Sequence, residues 1–176
     1  MRSTASRAGG HLLAQLARIY NRVLGPDHQQ TLALRGNLAT WTGEAGDPAT
    51  ARDEFAALLP VYHEVLGPEH PQTLLLRRNV AEWTGTAGDP SGARDQLATL
   101  VPICRGLFGA NNPQTLQMHA SFARWIGRAG NPAEARDHFA ALLPAFKRVF
   151  GPYHPDTLSV QEIISDLTAR LGIRHG

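Results

Sequence analysis

The chain has eight histidines, and imidazole is the commonest protein ligand for metal ions near neutral pH. His28, His70 and His154 hold the same place in a pattern that recurs every 42 residues. Such a pattern spaces its members about one repeat apart, so these rings cannot close on one ion, whose ligands lie within about 2 Å. They read as helix N-caps or turn residues. His119 falls on a helix where it could face a groove, and alone it reads as a structural or solvated residue. No cluster of His, Cys, Asp or Glu has ligand spacing, so neither a metal nor another cofactor is expected. Cys104 takes the place that Tyr62 and Phe146 hold in sister copies, so it reads as an inert buried thiol rather than a nucleophile. Trp41, Trp83 and Trp125 could stack a ligand, but one tryptophan per copy fits packing between helices better. Arg52-Asp53, Arg94-Asp95 and Arg136-Asp137 read as solvated pairs that contribute little. No catalytic dyad and no Gly-x-x-x-x-Gly-Lys-Ser/Thr phosphate loop is present. An enzyme would need catalytic groups scattered over separate helices, which motif reading does not detect.

The elements that position these residues follow from the repeat. Leu24-Gly25-Pro26-Asp27-His28 returns as Leu66-Gly67-Pro68-Glu69-His70 and as Phe150-Gly151-Pro152-Tyr153-His154. Thr31, Thr73, Thr115 and Thr157 keep the same 42-residue interval, as do Pro60, Pro102 and Pro144. Each copy reads as two helices joined by a short turn, so the pair must be antiparallel. Pro71 suits the first helical position, and Gly67 suits the end of the preceding helix. The second helix opens at Asp47-Pro48, Asp89-Pro90 or Asn131-Pro132, each an N-cap followed by proline. Its apolar stripe, Phe55, Leu58, Leu59, Tyr62 and Leu66, has the spacing of a buried helical face. Proline inside that helix, at 60, 102 and 144, reads as a tolerated bend rather than a break.

Composition narrows the classes further. Hydrophobic residues make up 43% of the chain, which excludes a disordered protein, and no apolar run reaches the roughly 20 residues of a membrane span. Residues 1–10 carry Arg2 and Arg7 with no apolar segment behind them, so no signal peptide and a cytoplasmic location are expected. A lone cysteine agrees with a reducing compartment. The net charge of +2 gives no argument for nucleic acid. Every basic residue but Lys147 is arginine, and Ala and Gly are abundant, which suggests a GC-rich bacterial genome.

The unit resembles the tetratricopeptide repeat. Asn37-Leu38-Ala39, Gly46-Asp47, Ala51 and Phe55 fill the family's pattern, and Asn79-Val80-Ala81, Gly88-Asp89, Ala93 and Leu97 fill it again. The 42-residue length is similar to the kinesin light chain class, and the wording Trp-Thr-Gly followed by Ala-Gly-Asp-Pro is similar to actinobacterial arrays. The fold so implied is an all-α, tetratricopeptide-like α-solenoid of stacked antiparallel helix pairs. It should have eight helices, no strands and a right-handed superhelix. One domain is expected, with a half repeat at 9–25, full repeats at 26–67, 68–109 and 110–151, and a capping helix at 152–171. In the half repeat, a helix over 12–24 should leave an apolar strip drawn from Leu13, Leu16, Tyr20 and Val23. Either residues 1–10 or a second copy of the chain, forming a homodimer, should cover that strip. The capping helix should turn Val160, Ile163, Ile164, Leu167 and Leu171 inward and its polar residues outward.

For function the resemblance implies protein–protein interaction, with a peptide or protein held along the first helices. The positions that map to that groove are Ala33, Gly36, Asn37, Thr40, Gly43 and Glu44, then Leu75, Arg78, Asn79, Glu82 and Thr86, then Gln117, Ala120, Ser121, Arg124 and Arg128. The resemblance implies that Asn37 and Asn79 hydrogen-bond a bound peptide's backbone; the alternative is that they bond within their own helix pair. The rival functions are a small-molecule-binding or accessory protein of a bacterial biosynthetic pathway, and an interaction fragment of a signalling ATPase system.

Overall fold

The computed structural model describes residues 4–172, which form eight helices and no strand. They are α1 (Thr4–Val23), α2 (Gln29–Glu44), α3 (Pro48–Leu66), α4 (Pro71–Thr86), α5 (Pro90–Phe108), α6 (Pro113–Arg128), α7 (Pro132–Val149) and α8 (Pro155–Arg170). The chain divides between Gly88 and Asp89 into two compact units, the first holding α1–α4 and the second α5–α8. Within the first, α2 packs on α1 and α3, and α4 packs on α3. Within the second, α6 packs on α5 and α7, and α8 packs on α7. None of the described helices is long and apolar enough to cross a membrane.

The repeated histidines are caps. Nδ1 of His28, His70 and His154 accepts the amide N–H of Gln30, Gln72 and Asp156, each at 3.2 Å. Asn112 does the same for Gln114 at 2.8 Å. Each bond satisfies one of the backbone donors that the first turn of a helix leaves open. Asp47 caps α3 by accepting from the Thr50 amide at 3.1 Å and its hydroxyl at 2.7 Å, and Asp89 accepts from the Gly92 amide at 2.8 Å. Asn131 stands at the same place before α7 but makes no side-chain cap bond.

The second helices run on through their internal prolines. Two residues beyond each proline lies a carbonyl that a repeated threonine reaches. Thr73 Oγ1 donates to Tyr62 O at 3.4 Å and to Gly67 O at 2.8 Å, Thr115 to Cys104 O at 3.1 Å, and Thr157 to Phe146 O at 3.4 Å. Each of these threonines ties its first helix to the end of the second helix before it. Gly67 sits at φ +92° and ψ 160°, a region that is essentially glycine's alone, which holds its carbonyl within reach of Thr73.

Each unit has its own core. In the first, Leu32, Ala39, Phe55, Leu58 and Leu76 pack together, and in the second Leu116, Ala123, Phe139, Phe146 and Val160 do so. Cys104 is buried, as its apolar place in the repeat requires. The tryptophans are packing residues. A Cβ built on Gly43 of α2 would fall inside the Trp83 indole of α4, so indole and glycine fit only as a pair. Gly10 of α1 stands in the same relation to Trp41 of α2.

That contact explains where the sequence expectation for α1 fails. The helix starts at Thr4, not near Leu12, so residues 4–10 extend it instead of folding back as an arm. The rest of the expected arm, 1–3, lies outside the described residues. Glycine is a poor helix former, yet Gly10 is buried in helix because Trp41 leaves no room for a side chain. Of the expected strip, Val23 is 71% exposed and Leu13, Leu16 and Tyr20 are half-buried, and Leu12 at 58% and Ile19 at 54% extend it. Along α8, Val160 and Leu167 are buried and Ile163, Ile164 and Leu171 half-buried, with Ser159, Glu162, Ser165, Asp166 and Arg170 exposed, as the capping pattern predicts.

Candidate peptide-binding cleft

In the first unit, α2 and α4 lie side by side with α3 behind them, and a cleft of about 240 Å³ opens between them. Ala33, Gly36, Asn37 and Thr40 line it from α2, and Gln72, Leu75, Leu76 and Asn79 from α4. Phe55 and Tyr62 of α3 close the floor. The spacing of 33, 36, 37 and 40 is one face of a helix, and the 42-residue register places Leu75 and Asn79 on the matching face of α4. A Cβ on Gly36 would stand in ordinary contact with the Phe55 ring, 3.6 Å away, so a larger side chain there would reach into the cleft.

Six of the groove positions read from the sequence, Ala33, Gly36, Asn37, Thr40, Leu75 and Asn79, therefore meet in one cleft, whereas Gly43 lies against the Trp83 indole. Thr40 spends its hydroxyl on its own helix, donating to Gly36 O at 3.1 Å. Among the described residues, neither Asn37 nor Asn79 has a side-chain hydrogen-bond partner. Two amides, each able to donate and accept, face a largely apolar floor. Tyr62 lies half-buried there, and burial pushes its phenol above the usual value.

Arg78 and Glu82 lie on α4 outside the cleft lining, and both are half-buried with partners of their own. In the second unit, Gln117, Arg124 and Arg128 are exposed on α6, whereas Ser121 is only 6% exposed and has no open face to offer. Arg128 stacks on the Trp125 ring at 4.7 Å. The site positions read from the sequence do not include Gln72, Phe55 and Tyr62. The last two belong to the apolar stripe of α3, and a stripe does not reveal which of its members also line an opening.

The second unit holds another feature that motif reading does not find. His119 Nε2 of α6 and His138 Nδ1 of α7 lie 3.0 Å apart, one ring donating to the other. Glu134 Oε1 approaches the far nitrogen of His138 at 3.9 Å. Burial, the His138 ring and the Arg105 charge hold His119 below its ordinary value. The register could have revealed the pair, since Arg35 and Glu54 have the same separation and interact in the first unit. Burial pushes the Glu54 carboxyl up, against a hydrogen bond from Thr42 and the charge of Arg35. No group of three or more His, Cys, Asp or Glu among the described residues could hold a metal ion.

Comparison with known proteins agrees with the fold. Residues 31–72 match the tetratricopeptide repeat family model, a span that runs from the buried Thr31 of α2 to the first turn of α4. No match was found among curated proteins. Among solved structures, a Podosopora anserina kinesin light chain protein of nearly identical TPR-like repeats superposes with a TM-score of 0.74 at 21% identity, covering 96% of this chain and 80% of that one. A variant of the same protein gives 0.76 at the same identity and coverage. BtubC (BKLC) from P. vanneervenii gives 0.73 at 15% identity, covering 96% of this chain and 68% of that one. The chain thus carries a tetratricopeptide repeat at residues 31–72, and its fold is that of the kinesin light chain-like tetratricopeptide-repeat proteins.

Proposed function

We propose that the chain is a protein-interaction scaffold whose first unit binds an extended peptide segment in the cleft between α2 and α4. The observation that supports this most is the pair of asparagine amides, Asn37 and Asn79, facing one cleft without internal partners. An extended strand has free N–H and C=O groups along its length, and each amide can engage one of each. Phe55, Leu75, Leu76 and Tyr62 offer apolar surface for the side chains between them. In the second unit, the exposed Arg124 and Arg128 of α6 suit carboxylates of a partner through charge-assisted hydrogen bonds. The segment held in the α2–α4 cleft therefore carries an apolar stretch and binds with a Kd of about 1 μM, some −8 kcal/mol.

Selection of ten-residue peptides from a random library against the full chain tests this, followed by calorimetry on variants. Asn79→Ala should weaken the selected peptides about fivefold, the usual net value of one hydrogen bond being about 1 kcal/mol. Gly36→Leu should abolish binding by filling the cleft, with the helical circular dichroism intact. Selected peptides that bind both variants as well as the native chain would place recognition elsewhere.

A second contact is proposed at α1. Leu12, Leu16, Ile19 and Val23 follow the alternating four- and three-residue spacing of a helix-to-helix seam, and the exposed members of this strip suit a second copy of the chain.

A further inference from the structure

The second unit has a cleft of about 300 Å³ on the side of its second helices, between α5 and α7 and over α6. Its floor is apolar, with Leu116 and Leu142 buried beneath the opening. Its walls carry Arg105 from α5, His119 from α6, Arg148 from α7 and Asn111 from the turn after α5. Arg148 Nη2 donates to Asn111 Oδ1 at 2.7 Å, which uses one of the five guanidinium donors. Among the described residues neither Arg105 nor Arg148 pairs with a carboxylate, and no acidic residue lines the cleft.

The repetition gives this composition its meaning. Positions 105, 111, 119 and 148 correspond, one repeat earlier, to His63, Glu69, Arg77 and Gly106, and two repeats earlier to Asn21, Asp27, Arg35 and Glu64. Both earlier sets contain a carboxylate, and the earliest contains a second one. In this copy the acidic places are taken by Asn111 and Arg148. A surface serving only as the outside of a solenoid has no reason to gather unpaired cations over an apolar floor, since they repel one another.

We propose that this cleft is a second recognition site, one that takes a carboxylate side chain of an acidic peptide segment together with the apolar residue beside it. The carboxylate accepts from the Arg105 and Arg148 guanidinium groups, and the neighbouring side chain covers Leu116 and Leu142. The site is independent of the asparagine cleft in the first unit. The groups facing His119 are Arg105 from α5, its ring partner His138 from α7, and Arg148 across the cleft; Glu134 on α7 reaches only the far side of His138. An anion seated beside His119 favours the protonated ring, so binding strengthens as the pH falls towards 6.

The test is calorimetry on the full chain with amidated, acetylated Leu-Glu-Leu-Glu-Leu, beside matched peptides bearing Gln or phosphoserine in place of Glu. The Glu peptide should bind, weaken several-fold between 50 and 300 mM salt, and tighten between pH 7.5 and pH 6. Arg105→Gln with Arg148→Gln, both exposed positions, should lower affinity at least tenfold, and His119→Gln should remove the pH dependence. Repeated in the Gly36→Leu background, whose α2–α4 cleft is filled, the titrations should keep the same dependence on salt, pH and the two arginines, so failure of this site and failure of that cleft are separable. Equal binding of the Gln peptide, binding of the phosphoserine peptide alone, no binding at all, or an affinity unmoved by the double arginine variant would each overturn the proposal.

Discussion

At the scale of single residues, the contacts that matter most are those in which one side chain leaves no room or no water for another. Gly43 exists to receive Trp83, so Gly43→Ala should cost about 1–3 kcal/mol by overpacking, although alanine is the better helix former. Urea unfolding of the variant measures this, and a gain in stability would mean that the indole can move aside. His119 gives the fold an acid-sensitive point. Its value in the folded state lies below the ordinary one near about 6.5, so the unfolded chain takes up a proton first as the pH falls. Stability is therefore complete above that range and is lost as the pH drops from there towards the lowered value. His119→Gln should lose less stability than the native chain between pH 7.5 and pH 5.5. Equal losses would assign the acid sensitivity to other groups. The glycine–indole pairing is only half legible in the sequence. The 42-residue interval marks the tryptophans as packing residues but does not name what they pack against.

At the scale of elements, the caps and turns are readable because their chemistry is local. A histidine or asparagine before the first helix, and Asp-Pro before the second, need only their own next three residues to act. His70→Ala should accordingly cost about 0.5–1 kcal/mol, while His70→Asn should be close to neutral, since Asn112 makes the same bond at 2.8 Å. Thermal unfolding of the two variants decides it, and equal losses would mean that the imidazole matters through packing rather than as an acceptor. The start of α1 is illegible for the opposite reason. Gly10 is a poor helix former by propensity, and only a contact from α2, far along the chain, makes glycine the required residue within the helix. The groove is legible to the same degree. Register places Asn37 and Asn79 on one face, but the burial of Ser121 and the stacking of Arg128 on Trp125 depend on neighbours that no local pattern names.

At the scale of the whole molecule, the repeat supplies a framework, and its departures supply the specific surfaces. The exposed strip of α1 is one, and Ile19→Glu should shift the chain towards monomer in light scattering at high concentration. A native chain that is already monomeric would remove self-association through α1. The asparagine cleft of the first unit is the central claim, and the side-chain amide resonances of Asn37 and Asn79 report on it directly. On titration with a library-selected peptide, both pairs of amide signals should shift and saturate with the affinity measured by calorimetry. Saturable binding that leaves both asparagine amides unmoved would contradict the account.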